Sequence, residues 1–345
     1  MKKNKKKLGI LLCIVLVLGL TACTGSNHAE DTRNTSKDKV IQKVRFSEVI
    51  RSIFYAPHYI AMENGFFKEE GIEVDLNTAQ GSDKGAAALI AGTADISLIG
   101  PETTIFIFNQ KGDKTLKVFH QLTSTDGSFL MSRNKMDSFK WSDLEGKTVL
   151  GWRPGSAPQV VFNSLLLKNK VTNVEVITNV AAPAMPGAFA SGQGDFIQVF
   201  EPVASTLEQS GAAYFVASMG KEIGNFPETS YVAESTYLKS NPEVIKGWVS
   251  AVSKAAQWIN DNTPEEVAKS LLPYFEGSAE ADIINSVKRY KEQDTWVANP
   301  EMTEAQFATL QQVLLENELI TEDQKVTIED ITDMTIAKEV GKGVK

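Results

Sequence analysis

Cysteine is nearly absent from the sequence. The 345 residues contain two cysteines, Cys13 and Cys23, and both lie close to the N-terminus. If the N-terminal segment is removed as argued below, Cys23 is the single cysteine that remains, which excludes a disulfide framework and cysteine chemistry in the body of the protein. Histidine is scarce as well, and His28, His58 and His120 are dispersed along the chain.

This scarcity bears on catalysis. The spacing typical of a zinc site, of a Ser-His-Asp set or of a phosphate-binding loop does not occur in the sequence. We therefore predict that the protein is not an enzyme, and we expect no catalytic residue, no bound metal and no cofactor.

Basic residues are outnumbered by acidic ones. The chain has 35 Lys and Arg against 43 Asp and Glu, a formal net charge of −8. Five of the lysines lie within residues 1–7, so that the charge without them is −13. A body this acidic argues against binding to nucleic acid and against electrostatic attachment to anionic lipid.

The chain has one apolar run close to membrane-spanning length. Residues 8–20 follow a basic start, and this stretch is too short to span a bilayer but suits the core of a signal peptide. It ends in Leu20-Thr21-Ala22-Cys23, which resembles a bacterial lipobox. We predict a signal peptide over 1–22, lipid such as palmitate on Cys23, and a polar flexible tether over 23–42. The alternative is an uncleaved N-terminal anchor in which Cys23 is incidental.

Residues 55–102 carry the clearest structural pattern. Pro57 and Gly65 predict the start and the end of a helix over 57–64. Residues 72–76 alternate apolar and charged side chains, which predicts a strand, and a helix over 84–91 and a strand over 95–99 follow. Strands that alternate with short helices pair in parallel, and ligands bind at the carboxyl ends of such strands.

A second α/β unit begins near Trp141 and repeats the first in outline. Residues 90–96 (IAGTADI) correspond to residues 189–196 (FASGQGDF): a helix ends near Gly, an Asp opens an apolar strand, and the strand ends beside a Pro and a Glu. The repeat is weak as sequence. It predicts two similar sheets, each of which offers its strand ends to a ligand.

The last third of the chain is predicted to be helical scaffold. Asn241 and Pro242 start the longest helix, whose apolar positions recur at helical spacing. Two capping boxes, which begin at Thr263 and Thr303, predict further helix starts. The apolar stripe of the long helix consists of Ile245, Trp248, Val249, Val252, Ala256 and Ile259.

Four motifs in this order resemble the solute receptors of ABC importers. They are AMENGFFKEEGIEVDL (61–76), LIAGTADISLIGP (89–101), DLEGKTVLGWRPGS (143–156) and NPEVIKGWVSAVSKAAQWI (241–259). The resemblance covers about 44–316 and is greatest to the NMT1/THI5-like receptors and to the receptors for sulfonate, nitrate and taurine.

The resemblance implies a fold. It is an α/β, two-lobed periplasmic-binding-protein-like fold of type II, with two parallel or mixed sheets, flanking helices and a helical C-terminal part. We place lobe 1 at 43–127 and 231–330 and lobe 2 at 128–230. Hinges are expected near 126–131 and 226–231.

Nine residues at strand ends and helix starts are candidate ligand-binding residues. Aromatic rings of the first loop are suited to stacking on a planar ligand, loops before helices offer amide and hydroxyl donors, and strand-end carboxylates pair with ligand N–H groups. The alternatives without ligand contact are core packing for the aromatic residues and surface exposure for the carboxylates. The candidates are Phe54, Tyr55, Gly81, Ser82, Pro101, Glu102, Gly155, Ser156 and Glu201.

Glu102 and Glu201 bear on the class of ligand. One or two carboxylates in a cleft disfavour nitrate or sulfonate and favour a solute with N–H donors or positive charge. The resemblance then implies a monomeric lipoprotein, anchored on the extracytoplasmic face of a bacterial membrane, that delivers a small polar solute to an ABC permease and ATPase. The solute would be a nitrogenous compound similar to a thiamine-pyrimidine precursor. The alternatives are a sulfonate, taurine or nitrate receptor, a sensor lipoprotein without a transporter, and a THI5-like enzyme.

Overall fold

The computed structural model describes residues 41–343. The predicted signal peptide, the lipidation at Cys23 and nearly all of the predicted tether lie outside these residues. The tether does not extend to residue 42, because the first strand already begins at Gln42, where the Gln42 N–H donates to the Gly71 carbonyl at 2.8 Å. Among the described residues, no helix is long and apolar enough to cross a membrane.

Within residues 41–343, ten strands form two sheets of five. The strands are β1 Gln42–Glu48, β2 Ile72–Thr78, β3 Ile96–Ile99, β4 Leu116–Gln121, β5 Phe129–Ser132, β6 Lys147–Leu150, β7 Val174–Ile177, β8 Phe196–Val199, β9 Tyr214–Ser218 and β10 Ser230–Glu234.

Helices flank both sheets and make up most of the C-terminal part. The α-helices are α1 Ala56–Glu63, α2 Phe66–Glu69, α3 Ser82–Ala91, α4 Pro101–Asn109, α5 Ala157–Lys168, α6 Met185–Ala190, α7 Val203–Gln209, α8 Met219–Ile223, α9 Ser235–Ser240, α10 Pro242–Asp261, α11 Pro264–Leu271, α12 Glu280–Glu292, α13 Glu304–Glu316, α14 Ile328–Ile331 and α15 Thr335–Gly341.

The two sheets have the same arrangement. The first has the order β2-β1-β3-β10-β4, and the second has the order β7-β6-β8-β5-β9. In each sheet three parallel strands are followed by an antiparallel strand that the chain forms directly after a crossing, β5 in the second sheet and β10 in the first. The sheets are therefore mixed, as the fold prediction allowed.

The sequence repeat corresponds to the central strands β3 and β8. Asp95 precedes β3, and its Oδ2 accepts the Arg45 N–H at 2.9 Å. Asp195 precedes β8, and its Oδ2 accepts the Thr148 N–H at 3.0 Å. Each aspartate joins its strand to the neighbouring parallel strand, so the repeat has a structural cause and the prediction of two similar sheets is confirmed.

The chain crosses between the sheets twice. It leaves the first sheet after Gln121 and enters the second at Phe129, and it returns between Ser218 and Ser230. The predicted hinge segments lie at these crossings. Their action as hinges, and the division into lobes at 127 and 231, stay predictions. From the C-terminal part, α12 packs on α7 and α13 packs on α5, so these helices contact the second half as well as the first.

The stripe of α10 fits the core as predicted. Trp248 is fully buried, and its ring lies 5.3 Å from that of Phe46 on β1 and 4.6 Å from that of Phe67 on α2. His58 stacks on Phe46 at 4.1 Å, and its Nδ1 lies 3.1 Å from the Tyr231 hydroxyl. Burial lowers the pKa of His58 to about 3, so this histidine is a neutral core residue.

Three helices begin two residues earlier than the sequence predicted. The sequence pattern favours loops at Gln80-Gly81-Ser82, at Pro101-Glu102 and before Gln159, with helices that begin at residues 84, 103 and 159. In the structure α3, α4 and α5 begin at Ser82, Pro101 and Ala157. Proline in the first turn of α4 and of α5 lacks only an N–H that has no intrahelical partner at that position. The correction matters, because it places Ser82 and Glu102 in first helical turns. Strand β9 and the helices α2, α8, α9, α14 and α15 were not predicted.

Candidate functional site

A cavity of about 550 Å³ is lined by residues that follow the parallel strands of both sheets. The location agrees with the rule that ligands bind at strand carboxyl ends, and the volume suits a small organic molecule. Val49, Gln80 and Gly100 follow β1, β2 and β3, and Trp152, Thr178 and Phe200 follow β6, β7 and β8.

Aromatic rings form part of the cavity wall. Tyr55, a predicted ligand-binding residue at the entry to α1, lines the cavity. Trp152 and Phe200 line it too, with their rings 5.1 Å apart and nearly perpendicular. The sequence by itself favours a core position for Trp152, so its place in the cavity wall is a correction. A planar ligand would meet large apolar surfaces here, which favours stacking.

Phe54 lies behind this wall. Its ring packs 5.3 Å from that of Phe200 and 5.5 Å from that of Tyr290, and the side chain is buried. A Cβ on Gly127 would collide with the Phe54 ring, so glycine is required where the first crossing passes over it. The structure therefore favours core packing over ligand stacking for Phe54.

The N-terminal turns of α3 and α5 contribute to the cavity lining. Gly81 and Ser82 line it from the first half of the chain, and Ser156 lines it from the second. The Ser82 hydroxyl accepts the Gly100 N–H at 3.3 Å, and the Ser156 hydroxyl donates to the Arg153 carbonyl at 2.7 Å. Gly155 lies outside the lining, in a turn with φ of 77°. The structure thus brings three of these four predicted residues to the cavity.

An ion pair joins the two halves of the chain at the edge of the cavity. Arg153, which follows β6, donates from Nη1 to Asp83 Oδ1 in the first turn of α3. Both side chains are partly exposed, so the pair is weak by itself. The Arg153 guanidinium lies against Gly81, where a side chain would crowd it.

Glu201 does not face the cavity, contrary to the sequence prediction. Its Oε1 accepts from Arg289 Nη1 at 2.8 Å, and its Oε2 accepts the Ser205 N–H at 2.8 Å. The hydroxyls of Ser205 and Ser286 complete its partners. Burial raises the pKa of Glu201, and Arg289 opposes that shift. The side chain turns into the start of α7, where it holds α7 and α12 together.

Pro101 and Glu102 lie behind the lining in the first turn of α4. Gly100, the residue before them, is in the lining. The Glu102 carboxyl is 2% exposed, and burial raises its pKa to about 7. The backbone N–H groups of Glu102 and Ala157, the Thr103 hydroxyl and the Arg153 guanidinium act in the opposite direction.

The acidic group that does line the cavity is Glu228, which the sequence analysis missed. Glu228 lies on the second crossing and is 3% exposed. Its Oε2 accepts the Gly127 N–H at 2.6 Å, and its carboxyl interacts electrostatically with that of Asp126 on the first crossing. Asp126 Oδ1 also accepts the Ser128 N–H at 2.7 Å. A carboxyl pair therefore joins the two crossings at the cavity.

Burial dominates the protonation of this pair. It raises the pKa of Asp126 to about 7 and, together with the nearby Asp126 charge, raises the pKa of Glu228 well above its ordinary value. Two buried carboxyls in contact retain a proton between them at neutral pH. No local pattern predicts this pair, but Pro227-Glu228 repeats the Pro-Glu pairing seen at Pro101-Glu102.

Residues of the loop after β7 were missed as well. The cavity is lined there by residues 178–183, and the strand-end rule applied to β7 would have found them. Among residues 41–343, no group of three or more His, Cys, Asp or Glu side chains is placed to hold a metal ion.

Comparison with known proteins places the chain in a family. Residues 53–267 match the family described as NMT1/THI5 like. YtlA of Bacillus subtilis (strain 168), which is named provisionally as a binding protein, is 36% identical over 304 residues, covering 87% of this chain and 87% of YtlA.

Solved structures share the fold. The ligand-binding component of an ABC-type import system from Staphylococcus aureus, solved with zinc bound, has a TM-score of 0.73 at 13% identity and covers 87% of this chain and 99% of that chain. The periplasmic nitrate-binding protein NrtA from Synechocystis PCC 6803 has a TM-score of 0.72 at 16% identity, with 88% and 89% covered. The fold is that of the periplasmic binding proteins, and the chain belongs to the NMT1/THI5-like family.

Proposed function

We propose that the protein is the extracytoplasmic solute receptor of an ABC importer. It binds a small polar organic solute in the cavity between its two sheets and delivers it to a membrane permease whose partner ATPase supplies the energy. The observation that carries the proposal is the cavity itself, since residues after three parallel strands of each sheet line one ligand-sized space. Membership of the family and the fold shared with an import-system component support it.

The ligand we propose is nitrogenous, similar to a thiamine-pyrimidine precursor. Tyr55, Trp152 and Phe200 offer surfaces for a planar ring. Glu228 offers a carboxyl at the cavity, and the negative charge that it shares with Asp126 favours a ligand with N–H donors. In the sequence analysis the expectation of a ligand with N–H donors depended on Glu201. Glu201 is bound to Arg289, so in the structure Glu228 is the carboxyl that supports this expectation.

A sulfonate, taurine or nitrate receptor is the second candidate. Lys84 and Arg153 line the cavity, and the N-terminal turns of α3 and α5 border it. Positive charge and helix N-termini both favour an anion. Arg153 is already paired with Asp83, which reduces its contribution.

Other classes are less well supported. A sensor lipoprotein would use the same cavity, and a permease gene and an ATPase gene beside the gene for this protein would favour transport. A THI5-like enzyme needs a reactive group at the cavity, whereas His58 and His120 are fully buried and burial lowers the pKa of each to about 3.

Membrane attachment is part of the proposal and rests on the sequence. Residues 1–22 would be cleaved as a signal peptide, and acyl chains on Cys23 would anchor the protein to the outer face of the cell membrane. Metabolic labelling with a palmitate analogue tests this. Incorporation that is lost in Cys23→Ala supports the anchor, and equal labelling of both proteins contradicts it.

Ligand binding is proposed to close the two halves about the crossings. The Arg153–Asp83 pair and the Asp126–Glu228 pair both join the two halves. Small-angle scattering should therefore report a smaller radius of gyration when a tight ligand is added. An unchanged radius with saturating ligand would contradict closure.

A thermal-shift screen of the full-chain protein in nonionic detergent tests the ligand class. The probes are thiamine precursors, riboflavin, taurine, alkanesulfonates and nitrate, since a ligand that binds the folded state raises the melting temperature. A nitrogenous heterocycle that stabilises wild type and Glu73→Gln, but not Glu228→Gln, supports the proposal. Glu73 is the matched control because it is an exposed strand carboxylate. A response to sulfonate or nitrate alone contradicts the nitrogenous ligand and keeps the receptor.

A further inference from the structure

Three helix N-termini converge behind one part of the cavity wall. Gly100, the N-cap of α4, and Ala157, the first residue of α5, both line the cavity, and the hydroxyl of Ser82 in the first turn of α3 accepts the Gly100 N–H at 3.3 Å. Each of these helices is at least nine residues long. Unsatisfied N–H groups and the helix dipoles make such a place favourable for an anion.

The carboxyl of Glu102 already lies at this place. It folds back over Gly100, since a Cβ on Gly100 would collide with both carboxyl oxygens. The backbone N–H groups of Glu102 and Ala157 favour its charged form and so oppose the rise of its pKa on burial, as does the Arg153 guanidinium. The Thr103 hydroxyl donates to Oε1 at 3.4 Å. A negative group of the chain therefore lies where the N-termini of α4 and α5 favour one.

One oxygen of this carboxyl is incompletely satisfied. Glu102 Oε2 is buried and has no hydrogen-bond partner among residues 41–343. Leaving a buried acceptor without a partner costs free energy. A carboxyl that only capped α4 could do so at the surface. Glu102 is instead buried beside the start of α5, which belongs to the other half of the chain.

We propose that Glu102 determines the charge of the ligand, because its carboxyl fills from within the chain the position at which the N-termini of α4 and α5 would otherwise hold an anionic group. This rests on the proposed function, and it gives one residue as the reason why this protein would reject small anions. Removing the Glu102 side chain should free the position at the N-termini of α4 and α5, because the backbone N–H groups that form this position remain.

The test is a gain of anion binding at about pH 8, where a carboxyl with a pKa of about 7 is mostly ionised. The full-chain protein in nonionic detergent is titrated with acetate, nitrate and methanesulfonate at constant ionic strength, and the melting temperature is followed. We expect acetate, which replaces the lost carboxyl, to bind Glu102→Ala at least about tenfold more tightly than wild type.

Glu102→Gln is the matched control, because its amide keeps the position filled without the charge. It should respond no more strongly than wild type does. Equal stabilisation of wild type and Glu102→Ala by these anions would overturn the proposal, because the position would then not be filled by Glu102. A folded Glu102→Ala, shown by circular dichroism, that responds to none of them would overturn it too.

The experiment remains decisive if Glu102→Ala does not fold. Glu102→Ser then takes its place, because its hydroxyl can bond to one of the N–H groups that the carboxyl leaves. The expected result is that either variant refolds when acetate is added. The outcome is independent of the ligand screen, since acetate and nitrate probe the helix N-termini. A failed organic screen would count against the proposed function and leave this result standing.

Discussion

The carboxyl pair at the two crossings predicts an unusual dependence of stability on pH. Glu228 is almost fully buried, and burial and the Asp126 charge raise its pKa well above 4.5. In the unfolded chain the same carboxyl would be ionised above that value. The folded protein therefore holds a proton that the unfolded chain has released, and stability falls as the pH rises from about 4.5 through the pKa of the folded state.

The magnitude follows from the number of protons. One additional proton in the folded state lowers the free energy of unfolding by about 1.4 kcal/mol per pH unit. Glu228→Gln removes this proton and keeps the shape of the side chain. For each pH unit over which Glu228 stays protonated in the folded state, the variant should therefore gain about 1.4 kcal/mol relative to wild type.

The assay is chemical denaturation of the full-chain protein at several pH values. Glu102, whose pKa is raised to about 7, also makes stability fall as the pH rises from about 4.5 to about 7, and it does so in wild type and variant alike. The difference between the two proteins therefore reports the extra proton that the carboxyl pair holds in the folded state. Asp126→Asn is a second variant, and its gain over wild type should stop growing above about pH 7.

Glu73→Gln serves as the control, because an exposed carboxylate should not change the slope. Parallel stability curves for wild type and Glu228→Gln would refute the reasoning. That result would mean that Glu228 is ionised in the folded protein and that the pair holds no extra proton.

Three further predictions follow from contacts at and around the cavity. Trp152→Ala should weaken binding of a planar ligand by about tenfold or more in calorimetry, because an aromatic wall is lost; unchanged affinity would exclude stacking on Trp152. Arg289→Ala should lower the free energy of unfolding by roughly 3–5 kcal/mol, because the buried carboxylate of Glu201 loses its partner; a loss below about 1 kcal/mol in urea denaturation would contradict a structural role for this pair. Arg153→Ala should cost under about 1 kcal/mol of stability but enlarge the radius of gyration without ligand, because the pair with Asp83 joins the halves; an unchanged radius in small-angle scattering would remove this pair from the closure mechanism.

The fold could be predicted in most of its parts because its signals are local. Residues 72–76 alternate in a way that only a half-buried strand satisfies, and the stripe on α10 recurs at helical spacing. The repeat of Asp95 and Asp195 in the sequence identifies the two central strands, since each carboxylate accepts a backbone N–H of a neighbouring strand. Strand β9 was missed because Tyr214–Ser218 is short and half-exposed at a sheet edge.

The site was harder to predict because the direction of a side chain is not a local property. The strand-end rule found the correct edge of both sheets and brought Tyr55, Ser82 and Ser156 to the cavity. The same rule selected Glu201, whose carboxyl turns away toward Arg289, a residue distant in sequence. Glu228 follows no strand, and only the tertiary structure places it beside Asp126.

The composition of a ligand retained by the protein tests the central claim most directly. The protein would be extracted from its own membranes in mild detergent, and the bound small molecule identified by native mass spectrometry followed by fragmentation. The account predicts one nitrogenous organic compound, small enough for a cavity of about 550 Å³, that is retained by wild type and released by Glu228→Gln. A retained sulfonate or nitrate would contradict the assigned ligand class and the role of Glu102.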